Sequence, residues 1–172
     1  MGRHLTIVAA AAVLLITACG QEEGKKTYSS PAGRVEVTET KDGQAREMTV
    51  QSDEGKTTLK SELGSIPQDL GVPIYPRVEQ GEGGTWSMST REGEKDQKFS
   101  STVLFSPDPI DKVAAFYKDE LKDESPQLFE MAMPSGKMVS ISLDGGGGGT
   151  NIVLTENKEK EGTNIQITKA GE

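Results

Sequence analysis

The sequence is poor in the side chains on which most protein chemistry depends. It holds one cysteine, one histidine and one tryptophan in 172 residues, and aromatics make up 5% of the chain. The histidine is His4 and the cysteine is Cys19, so residues 20–172 contain neither. That excludes Ser-His-Asp and Cys-His nucleophilic catalysis, imidazole-ligated zinc and any internal disulfide from this part of the chain. Long apolar runs are scarce as well. Leu5–Ile16 spans 12 residues, broken only by Thr6, against the roughly 20 that a bilayer-spanning helix needs. Basic charge is in deficit, with 19 Lys and Arg against 27 Asp and Glu, a formal balance of −8. Such a chain lacks the clustered cations that nucleic-acid phosphates demand, and it lacks a polybasic grip on anionic lipid. The acidic excess reads as a well-solvated surface.

What is present begins with an address. Arg3 gives a positive start, Leu5–Ile16 an apolar stretch, and Thr17 and Ala18 small residues before Cys19. Those are the three parts of a secretory signal peptide. The run Ile16-Thr17-Ala18-Cys19 resembles the lipobox of bacterial prolipoproteins. The resemblance implies that residues 1–18 are removed and that Cys19 becomes an acylated N-terminus, its sulfur carrying diacylglycerol with palmitate-type chains. It further implies a membrane partner, held through the lipid on Cys19. The location is then the cell membrane or outer membrane, on an extracytoplasmic face, periplasmic or surface. Gly20 after the cysteine, where an aspartate commonly marks inner-membrane retention, favours the outer membrane in a cell that has one. The competing reading of Cys19 is a free thiol just past an ordinary cleavage site, an anomaly in a secreted protein. Without the leader, 154 residues remain, with 18 basic and 27 acidic side chains and a balance of −9.

Residues 19–27 then read as the acylated cysteine and a polar, glycine-containing tether, whose eight residues after Cys19 reach at most about 28 Å. Residues 28–63 read as a polar β-meander or stalk. Val35 and Val37, Met48 and Val50, and Leu59 mark three thin apolar stretches, and Asp42-Gly43 and Asp53-Glu54-Gly55 supply turns between them. With one aromatic, Tyr28, this segment buries too little to stand alone, and it either docks on the domain C-terminal to it or swings free. Residues 66–170 carry the core, since seven of the eight aromatics lie between Tyr75 and Phe129. Pro67, Pro73 and Pro76 make its entry extended.

Alternation then predicts strands over 85–90, 100–105, 128–133, 137–143, 152–154 and 165–167. Ile110, Val113, Ala114, Phe116, Tyr117 and Leu121 recur at helical spacing, with Asp108 as N-cap and Pro109 in the first turn. The expectation is an α+β fold: a mostly antiparallel sheet with one main covering helix over about 109–122, preceded by a small β-meander. The pattern Pro67-x-Asp69-x-Gly71-x-Pro73-x-Tyr75-Pro76, followed by Val113-x-x-Phe116-Tyr117-Lys118-x-x-Leu121, is similar to small, uncharacterised bacterial envelope lipoproteins over about residues 66–143. That resemblance brings a fold expectation and no activity.

Few residues suggest chemistry. Asp144 followed by Gly145–Gly149 lacks the Gly-Lys-Ser/Thr of a phosphate loop and leads into a strand, so it reads as a flexible hairpin. Gly81–Gly84 fails the dinucleotide pattern in the same way. No acidic pair sits in a glycosidase-like motif, and Asp108 and Asp111 suit a helix start better than a calcium loop. Trp86, Tyr75 and Tyr117 could stack on a sugar or a partner, but a small core needs them first. Met131, Met133 and Met138 read as core filling rather than a soft-metal site. The sequence therefore predicts no catalytic, cofactor-binding or metal residue, and one modification site, lipidation at Cys19. The expected function is a lipid-anchored, non-enzymatic envelope lipoprotein binding a protein or glycan partner and no nucleic acid. A structural or assembly subunit of an envelope complex is the alternative, and a carboxylate-based hydrolase a distant third.

Overall fold

The computed structural model describes residues 24–31, 33–40, 43, 45–64, 66–67, 70–79, 84–145 and 148–171. Cys19, the leader and tether residues 20–23 lie outside these. Ten strands form: β1 (Lys25–Ser30), β2 (Gly33–Glu39), β3 (Ala45–Gln51), β4 (Lys56–Leu63), β5 (Gly84–Glu92), β6 (Lys95–Ser106), β7 (Gln127–Met133), β8 (Gly136–Gly145), β9 (Gly148–Asn157) and β10 (Gly162–Gly171). Among the described residues a single α-helix, α1 (Ile110–Glu120), follows β6, with a 3-10 turn at Lys122–Glu124. All ten strands belong to one sheet in the order β1-β2-β3-β4-β5-β6-β10-β9-β8-β7, and every neighbouring pair is antiparallel.

This corrects the expected fold class. The molecule is largely β, not α+β with a covering helix: of the described residues, 64% are in strands and 10% in helix. The stretch read as a small preceding meander is part of the same sheet, because β4 pairs with β5 along its whole length, from Lys56↔Arg91 to Leu63↔Gly84. Thin apolar content does not prevent this, since ladder pairing runs through backbone N–H and C=O groups that every residue but proline supplies in full. β1 begins at Lys25, inside the stretch read as tether. An 11-residue helix reaches only the β6–β10 region of so wide a sheet.

The core sits on that one face and at that one end. Leu104 of β6, Ile165 and Ile167 of β10, Ile152 and Leu154 of β9, and Val139, Ile141 and Leu143 of β8 point to the helix side and are buried. α1 lays Ile110, Val113, Ala114 and Tyr117 on them, and Leu121 closes its C-terminus. The proline-punctuated entry segment packs Leu70 and Tyr75 into the same cluster, with Ile66, Val72, Ile74 and Val78 around them. The backbone N–H of Glu79 donates to the Phe105 carbonyl at 3.1 Å, tying that segment to β6. No described residue between 24 and 63 is buried. Among the described residues, no helix is long and apolar enough to cross a membrane.

Candidate functional site

The most concentrated polar cluster surrounds Asp108, the one acidic side chain buried among the described residues. Sequence logic assigns it to helix capping, but the N-cap position is Pro109 and no side chain caps the helix. The carboxylate turns instead toward the entry segment. Tyr75 Oη donates to Asp108 Oδ2 at 2.6 Å, Arg77 Nη1 donates to Oδ1 at 2.9 Å, and Lys112 Nζ lies 3.1 Å from Oδ2. The Asp108 main chain is held as well: its N–H donates to Ser106 Oγ at 3.2 Å, and its carbonyl accepts from Thr163 Oγ1 at 2.8 Å. These bonds hold the Asp108 carboxyl below the usual carboxylate range, the Tyr75 hydrogen bond contributing most. The Tyr75 phenol is pushed up to about 12, first by burial and then by the same carboxylate. Both oxygens of this carboxylate are engaged, Oδ1 by Arg77 and Oδ2 by Tyr75 and Lys112, so its contacts are those of a structural tie. The cluster pins the entry segment to the helix start and to β10.

A second polar cluster fixes the helix to the outer strands. Asp111, in the first turn of α1, accepts from Lys137 Nζ at 2.7 Å; Lys137 also pairs with Glu130 at 3.1 Å, and Glu130 accepts from Lys118. Glu130 titrates low because of its bonds to Lys118 and Lys137, while Lys137 titrates high because of Asp111 and Glu130. Tyr117, one residue before Lys118 in α1, is fully buried, and burial pushes its phenol up to about 12. Its hydroxyl makes no well-formed hydrogen bond, and the backbone of Tyr75 beside it compensates only in part.

The opposite face of the sheet carries a broad, partly open apolar surface. Strand register aligns Val37, Met48, Leu59, Met88, Phe99 and Ala170 side by side from β2 to β10, an unbroken apolar row. A parallel row holds Tyr28, Val35 and Val50. Trp86 stacks on Phe99 with ring centroids 4.9 Å apart, yet it remains 44% exposed. Tyr28, Val50, Met88 and Val103 are comparably open. Trp86 is therefore not a core residue. Alternation correctly puts Trp86 and Met88 on a common side, but that side faces away from the helix.

Other residues singled out by sequence have plain places. Tyr75 and Tyr117 are core, and Phe116 meets each ring edge-on at 5.2 Å. Gly145 and Gly148 face each other across the β8–β9 hairpin, and a Cβ on Gly148 would lie 2.1 Å from the Ala170 carbonyl oxygen. Close backbone approach explains that glycine without any phosphate. Met131 and Met138 sit opposite each other on β7 and β8, with Met131 exposed. No group of three or more His, Cys, Asp or Glu is arranged for a metal among the described residues. Gly81–Gly83, Gly146, Gly147 and Cys19 lie outside them. What sequence reasoning misses is the role of Arg77 and the open face as a whole; equal register of apolar residues in five consecutive strands is the signal that would have revealed the latter. No family model, no curated protein and no solved structure matches this chain.

Proposed function

We propose that this chain is a lipid-anchored, non-enzymatic lipoprotein of the bacterial cell envelope, which presents a broad β-sheet for binding a protein or glycan partner. The observation that carries the reading is the N-terminal sequence: Arg3, a 12-residue apolar stretch and Ile16-Thr17-Ala18-Cys19, with the chain's only cysteine at the acylation position. The chemistry of residues 20–172 supports it, because neither histidine nor thiol is encoded there and the buried Asp108 is committed to structural partners. The half-exposed aromatic and aliphatic side chains of the open face are the residue types that anchor binding surfaces. The test is metabolic labelling with palmitate. Wild-type protein takes up label and fractionates with membranes, whereas Cys19→Ala accumulates as an unprocessed, unlabelled precursor. Wild-type protein found unlabelled and freely soluble after secretion would refute the proposal.

A second reading, a structural or assembly subunit, is favoured by the edge strand β7. Its sequence, Gln127-Leu128-Phe129-Glu130-Met131-Ala132-Met133, contains no proline or lysine, and Phe129 is 56% exposed. Edge strands of monomeric proteins are normally guarded by such residues, as β1 is by Lys25 and Lys26. An assembly subunit co-purifies with a stoichiometric partner from detergent extracts; a transient binder emerges alone.

A further inference from the structure

We infer that the apolar face of β1–β6 rests on the lipid bilayer to which the chain is tethered. The inference builds on the lipid-anchor reading and says what the anchor does to orientation. Six peptide units separate Cys19 from Lys25, the first residue of β1, a reach of at most about 20 Å. The sheet edge that meets this short leash is the one where the open apolar face begins, at Tyr28, Val35 and Val37. From there the face runs across strands about 4.8 Å apart through Met48, Val50, Leu59 and Met88 to Trp86 and Phe99.

Its charge suits a lipid surface although the whole chain is acidic. In β1–β6 this face carries Lys26, Arg46 and Lys95 against Glu39 and Glu92, and Glu39 is neutralised by Arg46 at 2.8 Å. The ion-paired residues Lys25, Arg34, Glu36, Glu47 and Lys60 stand on the other face, toward water. Half-exposed Tyr28 and Trp86 are the amphipathic ring types that settle at a membrane–water interface. A sheet with one strongly ionic face and one carrying an apolar band with few charges, on a leash no longer than the sheet is wide, has the bilayer as its nearest apolar cover.

Trp86 is the only tryptophan in the chain, so its emission reports the centre of this face directly. Full-length mature protein is extracted from membranes and reconstituted into vesicles of phosphatidylethanolamine and phosphatidylglycerol, with or without brominated acyl chains. The expected result is a blue-shifted emission, quenched by brominated lipid and shielded from acrylamide. Met88→Glu and Val50→Glu, both at exposed positions, abolish the quenching while circular dichroism and the melting transition show an intact fold; Glu47→Gln on the ionic face leaves it unchanged. Trp86 open to acrylamide and untouched by bromine, on a protein whose intact mass shows acylated Cys19, overturns the inference and leaves the anchor standing. Trp86 shielded from both quenchers, in a protein that sediments as a dimer, overturns it in favour of a second copy. A free thiol at Cys19 refutes the anchor alone, and the quenching of Trp86 on added vesicles still decides the face.

Discussion

A pair of residues 33 positions apart, Tyr75 and Asp108, decides how the entry segment is held. Both stand out in the sequence, but for other reasons, Tyr75 as core and Asp108 as a helix cap. Local rules for caps see only the next three residues, and the phenol and guanidinium that outcompete the helix amides arrive from another segment. The bond has opposite consequences at the two ends of the pH scale. Asp108 titrates lower folded than unfolded, so the stability it lends is present above the ordinary carboxylate range and is lost as pH falls through its depressed value. Tyr75 titrates higher folded, so its contribution is complete below about pH 10 and vanishes as pH rises toward about 12. Tyr117 behaves the same way at high pH, through burial. We therefore expect ultraviolet titration of wild-type protein to show two late phenol steps coupled to alkaline unfolding. Asp108→Asn should bring the Tyr75 step down, leave the Tyr117 step in place and remove part of the acid-side loss of stability. Identical tyrosine titrations in the two proteins would dismiss the Tyr75–Asp108 bond as a determinant.

At the level of elements, the period of apolar residues carries most of the information. Ile110, Val113, Ala114 and Tyr117 mark α1, and the alternating residues of β8, β9 and β10 mark strands that the structure buries on one side. Periodicity reveals that Trp86 and Met88 share a side but carries no sign saying which side is covered. That sign depends on where the helix returns, which is a tertiary fact. Two substitutions probe the difference between packed and merely paired elements. Ile141→Ala removes a fully buried side chain beneath α1 and should cost about 2–5 kcal/mol in denaturant melts. Gly148→Ala forces a methyl against the β10 backbone and should cost about 1–3 kcal/mol, although the side chain it adds is small. If Gly148→Ala is neutral, the hairpin end is looser than the Ala170 approach implies. The β7 edge, whose one charge is Glu130 on the helix side, makes its own prediction: Phe129→Lys, on the exposed side, should reduce concentration-dependent association by light scattering without lowering the melting midpoint.

The described residues form one sheet, with the core at one end of it. Aromatic content locates that core only in part: Tyr75, Phe116 and Tyr117 belong to it, but Trp86 and Phe129 are exposed, and seven core side chains from Val139 to Ile167 lie beyond Phe129. It does not reveal that the polar first third joins the same sheet, because strand-to-strand hydrogen bonds leave little trace in side-chain chemistry. Backbone ladders are continuous from β1 to β7, whereas among the described residues buried apolar side chains are confined to the entry segment, α1 with its C-cap Leu121, and strands β6, β8, β9 and β10. Local opening costs little where few apolar contacts are lost, so stability should be graded along the sheet. Native-state hydrogen exchange would then find β1–β4 amides opening at a free energy well below the global value, and β8–β10 amides exchanging only by global unfolding. On vesicles, a sheet lying against lipid gains the cover it lacks in water, so protection should rise in β2–β5 and stay constant in β8 and β9. Uniform exchange along all ten strands, unaltered by lipid, would mean that the ladder alone makes the sheet cooperative and that its open face needs no cover.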